Sequence, residues 1–156
     1  MNEIVNIFKT KIGILKEYHG SISEMLQHLQ DGDFDIIDEY SAKHDQYIES
    51  LKQEDESLKT LISSMAPEIS SILSELLAGR LETCPHWAEE VYSAHCRQNE
   101  LVRKIIGINN QCISLIQKEM EEVQGKLKET SNNTKVINYY ASLKGTQTGI
   151  LLDIRN

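Results

Sequence analysis

The chain has 156 residues, a length that suits one domain, and a formal net charge of −8 with only 6% aromatic residues. An acidic chain lacks the basic footprint of a nucleic-acid binder, and an anionic membrane surface repels it. A core that is mostly aliphatic, with 8 glycines and 2 prolines to turn the chain, points to a few long helices packed on one another rather than to a sheet.

The first helix is predicted near residues 2–31. Leu15, Tyr18, Ile22, Met25 and Leu29 recur at steps of three and four, and Ile4, Phe8 and Ile12 carry the stripe back to the start. This opening, with an early acid and helically spaced apolar residues, does not read as a signal peptide. Asp31, Gly32 and Asp33 form a breaker: Gly32 can take the left-handed conformation that ends a helix, and Asp33 can cap the next. So short a connection makes the neighbours antiparallel.

The second helix is predicted near residues 33–65, on the seam Ile37, Tyr40, His44, Tyr47, Leu51, Glu54, Leu58, Leu61 and Met65, a rod of roughly 50 Å. Its two polar members, His44 and Glu54, are placed near the edge of a thin bundle; the other reading makes them register-setting contacts. Pro67 ends the seam, and a short amphipathic helix is predicted near residues 68–78, closed by Ala78 and Gly79.

The third helix is predicted near residues 86–127, opening beside Pro85 and ending between Gln124 and Glu129. It carries two stripes. One is Gln98, Leu101, Ile105, Ile108, Cys112 and Leu115; the other is Val102, Ile106, Ile113, Ile116, Met120, Val123 and Leu127. A double stripe makes a face wide enough for two partner helices. The polar residues 129–134 then read as a hinge. Beyond it, the clusters at 136–140 and 150–154 are too short to bury themselves and should fold onto the bundle or a partner. The expected fold is all-α: an elongated antiparallel three-helix bundle over residues 1–129, with a short connector helix, and a flexible C-terminal tail over residues 130–156.

Cys84, His86, His95 and Cys96 are the residue types that bind zinc. However, His86 and Cys96 would lie about 15 Å apart along one helix, and the adjacent His95 and Cys96 point roughly 100° apart. No metal site or other cofactor is expected. Cys96 and Cys112 are read as small packing residues. Three cysteines make no disulfide framework, and with no long apolar run the cytoplasm is the simplest compartment. No nucleophile and base share a motif, and no glycine-rich phosphate loop is present, so the reading is a binding protein, not an enzyme.

The helix lengths are unequal. A third helix of about 40 residues against a hairpin of about 30 should pass beyond the hairpin tip. Ile113, Ile116, Met120, Val123 and Leu127 are therefore the candidate partner-binding residues, because an apolar stripe left uncovered can take a partner helix. The tail or the connector helix is the alternative cover.

The long hairpin, the variable connector, and a third helix that passes from Arg97-Gln98-Asn99-Glu100-Leu101-Val102 through Ile105 and Ile106 to Ile113, Leu115 and Ile116 together resemble the FlgN-type flagellar export chaperones. The chain's end is also similar, with Tyr139 or Tyr140, then Gly145, then Leu152-Asp153-Ile154-Arg155; the terminal Asn156 departs from the small residue frequent in that family. The resemblance implies a cytoplasmic chaperone that binds the C-terminal helices of hook-associated proteins, the subunits of the hook–filament junction. It would present them to the flagellar export gate, with Tyr139 or Tyr140 implied in docking there. The alternative is a structural or adaptor coiled-coil protein that self-associates through its stripes.

Overall fold

The computed structural model describes the backbone of residues 1–153 and the side chains of residues 1–135 and of Ile137. The chain is all-α, in the order α1 (Asn2–Gln30), α2 (Ile37–Ser63), α3 (Pro67–Leu77), a 3-10 turn (His86–Ala88) and α4 (Glu89–Asp153). It divides into two units, Met1–Ser114 and Leu115–Asn156.

In the first unit α1 and α2 form the antiparallel hairpin that the stripes predict, and α4 runs up beside α1. The core lies at the end of the bundle where the start of α1, the end of α2, α3 and the start of α4 meet. Ile4, Val5 and Phe8 pack there with Leu58 and Ile62, Leu73 and Leu76, and Ala88, Val91 and Ala94. Pro67 stands at the first turn of α3, where its missing N–H leaves nothing unsatisfied. Along the hairpin the burial continues through Leu15, Ile22, Met25 and Leu29, as the α1 stripe requires.

The turns are set by two glycines with positive φ, Gly32 at +83° and Gly79 at +70°. After α3 the chain closes with the Arg80 N–H donating to Glu75 O (2.9 Å) and the Gly79 N–H to Leu76 O (3.1 Å). The Arg80 guanidinium grips both oxygens of the Glu75 carboxylate at 2.8 Å.

The structure corrects several sequence expectations. Asp33 does not cap α2: its carboxylate turns back to His28 Nδ1 (3.1 Å), and α2 begins four residues later with no side-chain cap. His44 is not at the bundle edge. It is only 9% exposed, with Nε2 3.2 Å from Ser21 Oγ and its ring beside those of Tyr18 and Tyr40. The Ser21–His44 pair is a polar contact between α1 and α2 inside the seam. Glu54, by contrast, is half-buried, as an edge position would be. In α1 it is Lys11 that is buried (5% exposed) while Ile12 is half-covered; Lys11 Nζ pairs with Asp55 of α2 and lies 5.6 Å from the Phe8 ring centroid.

The last correction concerns the third helix. It does not end between Gln124 and Glu129, and residues 129–134 are helical, as is the backbone beyond them to Asp153. Those residues are weak helix formers but include no Gly or Pro, so each costs only a few tenths of a kcal/mol. Two of the hydroxyls bond into the helix: Thr130 Oγ1 donates to Lys126 O and Thr134 Oγ1 to Thr130 O, both at 2.9 Å.

Candidate partner-binding face

The two stripes of α4 have different fates. In the first unit, Val91, Ala94, Ile105 and Cys112 are buried, and Gln98, Leu101 and Ile108 are half-covered. This stripe is the one that packs on the bundle. The second stripe turns outward: Val102 is half-covered, while Ile106 and Ile113 are exposed. Helical geometry explains the division, since adjacent residues such as Cys112 and Ile113 are about 100° apart and cannot both face the hairpin.

In the second unit Ile116 is half-buried, and Met120, Val123 and Leu127 are 57%, 43% and 64% exposed. Every side chain from residue 121 to 135 is exposed. Glu121, Glu122, Lys118 and Lys128 lie on the other faces, with Lys118 and Glu122 paired loosely at 3.9 Å. What the second unit presents is therefore an apolar line one residue wide at steps of four, three and four, bordered by polar residues. Such a line can do no chemistry, but it can take the apolar face of another helix. The side chains of Tyr139 and Tyr140, implied in gate docking, lie outside the described residues.

Two clefts of the first unit lie apart from this line. One, of about 440 Å³, runs between α1 and α4, with Lys9, Lys16, Arg97 and Glu100 around Ile12 and Leu101. The other, of about 310 Å³, lies between the end of α3 and α4, beside Tyr92, His95, Cys96 and Asn99.

Among the four possible zinc ligands, the two histidines have separate partners. His86 Nδ1 lies 3.1 Å from Glu89 Oε1 at the surface, and that hydrogen bond and charge raise its pKa. His95 Nε2 lies 3.0 Å from Asn99 Nδ2 and its ring meets the edge of Phe8; burial, and then the Lys11 ammonium, lower its pKa. Cys84 is half-buried and Cys96 is exposed, so Cys96 is not the packing residue that was expected, whereas Cys112 is. Burial pushes the thiols of Cys84 and Cys112 up, with Glu89 and Cys96 adding to the effect at Cys84, which keeps both protonated and poorly nucleophilic. Among the described residues no group of three or more His, Cys, Asp or Glu side chains gathers into a metal set.

The Ser21–His44 pair resembles a nucleophile beside a base. At 3% and 9% exposure it lies inside the hairpin seam, where no substrate reaches it. Burial, and then the charge of Lys43, hold the His44 imidazole below its ordinary pKa, so at neutral pH it is an uncharged hydrogen-bonding group.

Among the described residues no helix is long and apolar enough to cross a membrane. Comparison with protein-family models, curated proteins and solved structures finds no match to this chain.

Proposed function

We propose that this chain is a cytoplasmic export chaperone of the flagellar kind, which holds the C-terminal amphipathic helices of hook-associated proteins on α4. The observation that carries the reading is the exposed line Met120, Val123 and Leu127, with Ile116 at its head. Ile113, at the end of the first unit, lies on the same stripe and is exposed as well. An amphipathic helix laid on this line buries those side chains, at about 1.5–3 kcal/mol for each one fully covered. A captured helix is then unable to associate early with its own kind. The sequence resemblance at residues 97–116 and at the chain's end supports the choice of client and assigns Tyr139 or Tyr140 to docking at the export gate.

The test is a pull-down of purified hook-associated proteins on the immobilised chain. The wild type should retain one of them through its C-terminal segment, and Met120→Asp with Val123→Asp should lose it while keeping its helical circular dichroism. Retention by the double variant would place the interface elsewhere. Failure of the wild type to retain any hook-associated protein would end the reading.

A further inference from the structure

We infer that the exposed line of α4 also pairs with the same line of a second copy, antiparallel, about a two-fold axis between Glu121 and Glu122. The pairing gives the proposed chaperone a resting state in which its client surface is covered. Only that regulatory meaning rests on the functional reading above; the pairing itself does not.

Spacing sets the geometry. Ile116, Met120, Val123 and Leu127 are separated by four, three and four residues, the two-position seam of a paired coil rather than the broader face of a helix packed in a globular core. A strip so narrow is covered well by one helix of the same kind. The residues that border it then decide orientation. On one side stand Gln117 and Gln124, and on the other Glu119 and Lys126. None of the ion pairs of the described residues involves Glu119 or Lys126.

In a parallel pair the two borders face each other, so Glu119 meets Gln124 of the other copy and Lys126 meets Ser131. No charges are matched. In an antiparallel pair each border faces its own counterpart. With the axis between residues 121 and 122, Met120 packs against Val123 of the second copy and Ile116 against Leu127. Glu119 then meets Lys126, Gln117 meets Gln124, and symmetry gives every contact twice. Glu121 and Glu122 point away from the seam, so the acidic surface at the centre does not oppose the approach. Shape and charge thus agree on one arrangement, and the occupant that satisfies both is this chain itself.

The test reads association directly. Sedimentation equilibrium of the full chain should show a reversible dimer. Reversing one charge, by Glu119→Lys or Lys126→Glu, turns two attractions into two repulsions and should weaken the dimer roughly tenfold at low salt, an effect that shrinks as salt is added. The double variant Glu119→Lys with Lys126→Glu restores both pairs and should dimerise as the wild type does. Glu119 is half-buried and Lys126 is exposed; circular dichroism of each variant should match the wild type, which separates lost pairing from lost helix. A wild type that stays monomeric at every concentration overturns the inference. So do single variants that dimerise undiminished, or a double variant as weak as the singles. Titration of each variant with the purified C-terminal helix of a hook-associated protein is a separate measurement. A monomer that still binds that helix refutes the pairing and leaves the chaperone reading standing, and a dimer that never binds it does the reverse.

Discussion

Lys11 offers a sharp test of how the hairpin is held together. Its side chain is buried in the α1 face, with its ammonium on Asp55 and near the Phe8 ring, while the Asp55 side chain is 59% exposed. Removing one partner of a fully buried pair costs about 3–5 kcal/mol, because the other charge is left without water or counter-ion. A surface pair is worth about 0.2–1 kcal/mol. The half-wet Asp55 puts Asp55→Ala between these limits, at roughly 1–2 kcal/mol, or about 3–6 °C in melting temperature for a chain of this size. Lys11→Met removes the charge that needed a partner but keeps an unbranched side chain of similar volume, so it should stay within about 1 kcal/mol of the wild type. The double variant should behave like Lys11→Met alone. Thermal melting of the three proteins decides the matter. If Lys11→Met is as unstable as Asp55→Ala, the ion pair itself drives the packing, and the argument from an orphaned buried charge is wrong.

Three further outcomes follow from the same structure. His44 and His95 both have folded-state pKa values lowered by burial from 6.5, so as pH falls below about 6.5 the unfolded chain takes up protons first and stability is lost. Melting temperature should therefore drop between about pH 7.5 and 5.5, and His44→Gln should flatten part of the slope; His86 has the opposite sign, but at an exposed pair its influence is minor. Gly79→Ala places a side chain at a φ of +70° and should cost about 1 kcal/mol in urea unfolding, although nothing lies within 4 Å of where its Cβ would go. Phe8→Ala, at the centre of the core, should cost about 3–5 kcal/mol, whereas Met120→Ala, already more than half exposed, should change the melting curve by less than about 1 kcal/mol.

The helices and their faces were legible in the sequence because they follow from periodicity. The α1 stripe at Leu15, Ile22, Met25 and Leu29 is buried as its spacing requires, and Gly32 turns the chain where a left-handed residue was needed. The separation of two stripes on the third helix is legible too, and unequal helix lengths single out the second as uncovered over residues 113–127, but the exposure of Ile106 earlier on that stripe is not. What could not be read was chemistry decided by a neighbour on another helix. Lys11 is indistinguishable by spacing from a solvated lysine, and only Asp55, 44 residues away, explains its burial. His44 needed Ser21 for the same reason. The end of the third helix is not legible, because a run of polar, weakly helical residues reads as a breaker, yet without Gly or Pro it costs little and the helix runs through it. Unequal helix lengths point to the exposed line at Met120, Val123 and Leu127, whereas spacing alone does not single out Glu119 and Lys126, the charged residues that border it.

The proposed function stands on capture of an amphipathic helix along Ile116, Met120, Val123 and Leu127 of α4. The most direct measurement is isothermal titration of the full chain with synthetic C-terminal helices of hook-associated proteins, using sequence-scrambled versions as controls. Saturable binding of one such helix is expected, with the negative heat-capacity change of apolar burial, and its loss in Met120→Asp with Val123→Asp. No binding to any of these helices, or binding that the double variant leaves intact, would contradict the proposed function.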